Sequence, residues 1–461
     1  MTLKRFEQIK RYLHLSEPFE TLPRRSWYQK LLPLADRLRK SFQAYMVPAS
    51  DVSIDEMMVR FAGRSFHTLQ VPGKPIPLGY KILALSERGY TYDFLFTSRV
   101  ESFSGLENPE NYDKPIRLSP TSRAVLKMCL TLPYEVYSFT LFCDNYFSNI
   151  PLFQVLREYG IGACGTARPN SAEFPAPLKI DKKKSNLPWG FLAGQKVRDV
   201  LAILWQDNNL VRLLTTAHVG GDFDQKTRNR RRPRETPRNR ETIRRIWGQN
   251  ARKEIPVPAL TADYNDKMGG VDIADQLRAY LTTQLRVARN WMPLFFWLID
   301  TTLINCFILA RENHPSAKVY NKSNRWRWHE DLAWDLVHEG YKELNPPANT
   351  TGYSQPTSKP GRQPLGNTSR SRQNGYISKH YRLPVCRKQG NNHVMERLQL
   401  RRLCVFCRFL RSSHISPDVR CQILQHPQAP QHYKIRRSFF QCQSCKLPLC
   451  KDFCFRAFHE I

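Results

Sequence analysis

Ser53-Ile54-Asp55-Glu56-Met57-Met58-Val59-Arg60-Phe61 is the stretch whose reading decides the rest of the chain. It reads as a β-strand. Side chains alternate between the faces of a strand, so Ser53, Asp55, Met57, Val59 and Phe61 share one face. That face is largely apolar, yet Asp55 stands near its start. A carboxylate there is costly unless a cation or a hydrogen-bond donor compensates it. A solvated strand-end aspartate would read the same way, so the choice rests on what surrounds it.

Outward from this strand, Gly79–Leu85 and Thr91–Phe96 read as two further strands, joined by the turn at Glu87-Arg88-Gly89. Upstream, Phe6, Ile9 and Leu13, then Leu31, Leu34, Leu38 and Phe42, recur at helical spacing and predict two helices separated by a loop around Pro18 and Pro23. Downstream, the pattern predicts a helix over Ser122–Leu130 and a buried strand over Val136–Phe142. Asp144 follows that strand, and Ser148 is expected to cap a helix carrying Leu152, Val155, Leu156 and Tyr159. Residues 164–260 differ in composition. Short strands (Val200–Trp205 and Val211–Thr216) alternate with the basic segments Lys182-Lys183-Lys184 and Thr227–Arg245, which predicts an insertion with flexible basic loops. Helices are expected over Ala262–Gln284 and Met292–Glu312. The apolar run Trp291–Ala310 contains Asp300 and Asn305 and reads as a buried core helix, not a membrane span. From His314 to about Asn392 the chain is polar and reads as a largely disordered linker.

The totals agree with a polyanionic partner. The 461 residues carry a formal net charge of +31, an excess usually matched by nucleic acid. Of 12 cysteines, Cys129, Cys143, Cys164 and Cys306 lie among apolar residues and read as reduced core fillers. Cys386 is isolated, and the rest all follow residue 400. That crowding points to metal and a reducing compartment, not to a secreted disulfide framework.

Three acidic sites then line up: Asp55 on the first strand, Asp144 at the carboxyl end of a buried strand, and Asp272 after Gly269-Gly270-Val271. Asp275 lies three residues further on, on the same helical face. Carboxylates suit hard cations, and two Mg²⁺ or Mn²⁺ ions held by three or four of them perform in-line phosphoryl displacement.

Six ordered motifs now show a resemblance: Ser53-Ile54-Asp55-Glu56; Lys74-Pro75 with Gly79-Tyr80-Lys81; Gly89-Tyr90-Thr91-Tyr92-Asp93; Cys143-Asp144-Asn145-Tyr146-Phe147; Gly165-Thr166-Ala167-Arg168; and Asp263-Tyr264-Asn265 with Gly269-Gly270-Val271-Asp272 and Asp275-Gln276. Together they resemble the piggyBac transposase family, in order from about Phe6 to Asn313 and again in the Cys-rich tail. The resemblance implies an α/β fold with an RNase H-like catalytic core, an insertion domain after the second aspartate, flanking helices and a small C-terminal zinc-binding, cross-brace-like domain. The corresponding boundaries are an incomplete helical dimerisation and DNA-binding portion at 1–50, core at 51–163, insertion at 164–260, last core helices at 261–313, linker at 314–399 and Cys-rich domain at 400–461. It implies catalytic Asp55, Asp144 and Asp272 with Asp275 nearby, cut-and-paste transposition at TTAA targets, double-stranded transposon-end DNA as partner, a homodimer and a nuclear location. Lys74, Lys81, Arg168, Arg230, Arg231, Arg232, Arg401 and Arg402 are the expected DNA contacts. Trp291 resembles a family tryptophan near the active site, where it would pack against flipped DNA or simply against neighbouring helices. Family members have a long N-terminal region before these helices. The chain is therefore expected to be a fragment, a decayed copy or a domesticated derivative.

In the tail, Cys404-x2-Cys407, Cys442-x2-Cys445, Cys450, Cys454 and His459 have zinc-ligand spacing. Two tetrahedral sites need an eighth ligand, for which Cys421, His414, His426 and His432 are candidates, and the resemblance implies interleaved pairing. Three functions follow: a metal-dependent transposase, a catalytically silent DNA-binding derivative, and a chromatin or ubiquitin adaptor built on the tail.

Overall fold

The computed structural model describes residues 2–16, 27–100, 115–181, 187–218, 225–237, 239–313 and 325–344, together with short segments between 376 and 459. The first helices are α1 (Leu3–Tyr12) and α2 (Leu32–Tyr45). After β1 (Met46–Val47) come β2 (Asp51–Arg60), β3 (Leu69–Gln70), β4 (Leu78–Glu87) and β5 (Tyr90–Thr97). Arg88 and Gly89, with φ of 45° and 97°, form the two-residue connection of β4 to β5. Positive φ at both positions matches the twist of a tight hairpin.

The chain continues through α3 (Pro120–Cys129), β6 (Thr140–Cys143), α4 (Ile150–Glu158) and β7 (Gly162–Thr166). β6 is shorter than the expected strand. Pro133 accepts from the amides of Val136 and Tyr137, so those residues turn instead of extending. The α4 cap also differs from the expectation: Asn149 Oδ1 accepts from Leu152 N at 3.0 Å, whereas the Ser148 hydroxyl donates to Asp144 O at 2.8 Å.

Next are β8 (Leu192–Val197), β9 (Val200–Gln206) and β10 (Leu210–Thr215). β11 (Gln225–Arg231), α5 (Arg240–Trp247) and β12 (Arg252–Pro258) complete this region. Then follow α6 (Ala259–Lys267), α7 (Gly270–Tyr280), α8 (Met292–Asn313) and α9 (Arg325–Leu344). The expected long helix is thus two helices, broken at Met268-Gly269. The expected linker contains the 20-residue α9, held by Trp328 edge-on to Phe307 at 5.5 Å. The remaining short strands are β13 (Tyr376–Ile377), β14 (Met395–Leu403) and β15 (Arg437–Cys442).

Among the described residues, one sheet has nine strands in the order β3-β4-β2-β6-β7-β10-β9-β8, with β5 also on β4. β5, β4 and β2 are antiparallel. β6 and β7 run parallel to β2, and β10, β9 and β8 return to antiparallel pairing. The stretch after β7 that was read as an insertion continues the same sheet through β8–β10.

Helices seal this sheet. Arg39 of α2 reaches Asp93 of β5 with two bonds of 2.6 and 3.2 Å, and Asp93 is fully buried. From α8, the buried Asn305 amide accepts from Thr91 N at 2.9 Å and donates to Thr91 O at 2.8 Å, a side-chain substitute for a neighbouring strand. α8 is long and apolar enough to cross a membrane by length and composition. Here Leu294, Trp297, Leu298 and Ile304 are buried in the core. Of the four cysteines expected as core fillers, Cys129, Cys143 and Cys164 are buried. Cys306 is exposed, because it lies on the face of α8 turned away from that packing.

Candidate functional site

β2 is central to the sheet, so its residues meet neighbours on both sides. Ile54 pairs in parallel with Cys143, the last residue of β6. Asp55 and Asp144 are each one residue further on, on strands about 5 Å apart. Asp55 Oδ1 accepts from Glu56 N at 2.7 Å, and Asp144 Oδ1 accepts from Tyr146 N at 2.8 Å in an Asx turn. The third acid arrives on α7. A Cβ at Gly270 would come within 2.5 Å of Ser53 Oγ and 2.9 Å of Ser86 O, so only glycine lets the start of α7 sit this close to β2 and β4. Gly89 N donates to Gly270 O at 3.1 Å across this contact. Asp272 lies in the first turn of α7, above the face that carries Ser53 and Asp55.

The electrostatics agree with this convergence. Burial pushes the Asp55 carboxyl up to about 6, and the charges of Asp144 and Asp272 push the same way against the Glu56 amide and Lys74. Burial also raises Asp144, against the Tyr146 amide and Arg168, with Glu56 adding repulsion. Among the described residues none of the three carboxylates is salt-bridged. Nor do all three gather within 4.8 Å of one another, as the ligands of a single ion would.

The other expected residues have defined places. Asp275 receives Arg278 Nη2 at 2.7 Å and Nε at 3.1 Å, and the buried Arg278 also donates to Met58 O at 3.1 Å. Asp275 thus fastens α7 to β2 through Arg278. Lys81 pairs with Glu56 and sits 4.5 Å above the Tyr146 ring. Arg168 donates to Asn145 Oδ1 at 2.7 Å. Trp291 is 7% exposed and packs edge-on against Phe295. Tyr264 was quoted above without a role. Its hydroxyl lies 3.4 Å from Thr166 Oγ1. Burial raises it to about 12, with the charges of Asp144 and Asp55 contributing, so it stands beside the acidic pair. Nothing in local sequence singles it out, because only the packing of α6 on the sheet brings it there.

Thr227–Arg245 is not a flexible loop. β11 pairs with β12 over its whole length, and α5 lies between them in the chain. Lys226, Arg228 and Arg230 share one face of β11. Each meets an acid: Lys226 reaches Asp263 at 2.6 Å, Arg228 pairs with Asp266, and Arg230 makes two bonds to Asp207 at 2.6 and 2.7 Å. Arg232 pairs with Glu235, while Arg231, on the opposite face from Arg230, is exposed.

In the tail, the ligand atoms of Cys404, Cys407, Cys450 and Cys454 lie within 4.8 Å of one another. Cys407 Sγ is 3.7 Å from Cys450 Sγ and 3.6 Å from Cys454 Sγ. A tetrahedron with 2.3 Å zinc–sulfur bonds has edges of about 3.8 Å, so this donor set fits zinc. Cys442 and His459 are described but do not belong to this quartet. Cys445, His414, Cys421, His426 and His432 lie outside the described residues, as do the side chains of Arg401 and Arg402.

Residues 1–307 match the family described as Transposase IS4. The human PiggyBac transposable element-derived protein 2 is 27% identical over 312 residues, 67% of this chain and 48% of that protein. The human PiggyBac transposable element-derived protein 3 is 26% identical over 319 residues, 68% of this chain and 47% of that protein. The chain thus spans about half the length of these curated relatives. In fold it is similar to a piggyBac transposase solved by cryo-EM as a synaptic complex with hairpin DNA. The TM-score is 0.57 at 19% identity, covering 98% of this chain and 78% of that one.

Proposed function

Because the chain belongs to the piggyBac transposase family, we propose that it cuts and joins DNA by phosphoryl transfer at Asp55, Asp144 and Asp272. One observation supports this reading: among the described residues none of Asp55, Asp144 and Asp272 is salt-bridged, and the charges of Asp144 and Asp272 both bear on Asp55. The order β5-β4-β2-β6-β7, antiparallel then parallel, supports an RNase H-like core, with β8–β12 and α5 as the insertion.

The acids fit a pair of Mg²⁺ or Mn²⁺ ions. Asp55 is the natural shared ligand because it senses both Asp144 and Asp272, and a spread too wide for one ion suits two. Bound there, such ions supply Lewis-acid stabilisation of the phosphate and a more acidic attacking hydroxyl. The chain's own residues set the geometry. Gly270 permits the close approach of α7, Arg278 fastens that helix to β2, and the Asx turn fixes Asp144. Lys74, Lys81 and Arg168 are proposed to face the DNA backbone at the rim. The Cys404, Cys407, Cys450 and Cys454 quartet is proposed to hold zinc in a DNA-binding tail. Cleavage at transposon ends and TTAA targets, dimerisation and nuclear location belong to the same proposal.

The test is Mn²⁺-dependent nicking of a labelled transposon-end duplex. Asp272→Asn is expected to abolish nicking while leaving duplex binding within about twofold. Equal nicking by both proteins rejects the mechanism. A second reading, a silent DNA-binding derivative, is favoured by the relatives being named transposable element-derived proteins. It predicts duplex binding with no cleavage by the unaltered chain.

A further inference from the structure

Tyr146, 45% exposed, stands at the end of the turn that fixes Asp144. Its amide donates to Asp144 Oδ1 at 2.8 Å, so the ring is rooted beside the carboxylate itself. Two neighbours brace that ring. Lys81 Nζ lies over it, 4.5 Å from its centre, and the buried Phe147 stands edge-on to it at 5.0 Å. Lys81 is in turn held by its ion pair with Glu56 of β2. A single exposed tyrosine needs no ligand to explain it. This one is set apart by its bond to Asp144 and by the cations around it.

The second cation is Arg168. Asn145, between Asp144 and Tyr146, accepts from Arg168 Nε at 2.7 Å. Arg168 is exposed, and its charge opposes the rise of the Asp144 carboxyl, which puts it near that group. Residues 144–146 thus join a carboxylate, a bound guanidinium and an exposed ring on one turn. A ring beside a cation supplies the two parts of a single-strand nucleic-acid contact: the base stacks and the phosphate meets the charge. A ring already braced by Lys81 and Phe147 loses little freedom when it stacks.

We propose that Tyr146 stacks on the base of the nucleotide next to the phosphate held at Asp144, once that base has left its own stack, while Arg168 meets the adjoining phosphate. The proposal rests on the DNA-processing reading. It deepens that reading by naming the feature recognised, a frayed nucleotide beside the reacting bond. Stacking tolerates any base, since every base has a π face, but it requires one. Removing the base is therefore the direct probe.

The experiment measures equilibrium binding of three transposon-end duplexes of equal length, with Ca²⁺ in place of Mn²⁺ so that no strand is cut. One is intact, one is nicked at the transposon end with a thymidine beside the nick, and one carries the same nick with an abasic nucleotide there. The unaltered protein is expected to bind the thymidine nick about tenfold more tightly than the abasic nick. Tyr146→Ala is expected to bind the two nicked duplexes within about twofold of each other, with a thermal melt matching the unaltered protein to show that it is folded. Tyr146→Phe should retain most of the preference, because it keeps an aromatic face. A tyrosine that only supported the turn would, when replaced, weaken all three duplexes alike and leave the ratio unchanged. Survival of the preference in Tyr146→Ala, or its absence in the unaltered protein, overturns the stacking contact and leaves the DNA-processing reading standing. Failure of the unaltered protein to bind any of the three duplexes sinks both.

Discussion

Two groups of aspartates in this molecule have opposite surroundings. Asp207, Asp263 and Asp266 each meet a basic residue of β11, and their charge docks the hairpin onto the rest of the chain. Asp55, Asp144 and Asp272 stand near one another and none of them is salt-bridged among the described residues, in a protein of net charge +31. Asp263 of the first group and Asp55 of the second shift in opposite directions. Burial alone would raise Asp263, but hydrogen bonds from His218 and Lys226 and the charge of Lys267 more than reverse it. At Asp55 burial and the neighbouring acids act together, and the carboxyl rises to about 6. Under the proposed function, the central acids are the ones that would hold a cation from outside. The acids beside β11 serve folding.

That contrast predicts different outcomes for the same chemical change. The largest effect is on cleavage: Asp55→Asn is expected to lower Mn²⁺-dependent nicking by at least about a thousandfold, read on a labelled duplex. Asp207→Asn should leave the nicking rate per folded molecule within about threefold. The next effect is on stability. Asp207→Ala leaves the partly buried Arg230 between two tryptophans without its counter-charge, and is expected to cost about 3 kcal/mol in a denaturant titration. A cost below about 0.5 kcal/mol would dissolve the distinction between the two groups.

Smaller effects come with pH. Asp55 has a folded value near 6 against about 4 when unfolded, so its favourable contribution is present below about pH 4 and lost as pH rises through 6. Without divalent ions, Asp55→Asn should therefore stabilise the protein at pH 7 by about 2 kcal/mol, with the gain vanishing near pH 4. Asp263 is depressed, so its contribution is present above about pH 4 and lost on further acidification. Asp263→Asn should destabilise at pH 7 by about 1 kcal/mol and converge with the unaltered protein in acid. Thermal melts of both variants from about pH 2 to 8 check the opposite slopes.

How much of this was legible follows the range of each interaction. The strands flanking Arg88-Gly89 and the helix after Asp144 were readable, because alternation, spacing and turn chemistry act over a few residues. The acids stood out because short motifs carry them. The order of the basic stretch was not readable, since β11 is held by Asp207, Asp263 and Asp266 from elsewhere in the chain. α9 was hidden in polar sequence because few of its residues pack, with Trp328 against Phe307 as the anchor. Ser148 and Asn149 are both competent caps. The choice between them fell to Asp144 O, which accepts the Ser148 hydroxyl.

By itself the sequence determined which residue types were available: a basic chain, three motif-borne aspartates, paired cysteines and the turn glycines. Only the tertiary structure decided which charges are neutralised by ion pairs and which are not. Alternation and capping are written over a few neighbouring residues. Whether a carboxylate is paired depends on side chains that the fold brings from far along the chain, as it brings Lys226 to Asp263 and Asp272 to Asp55.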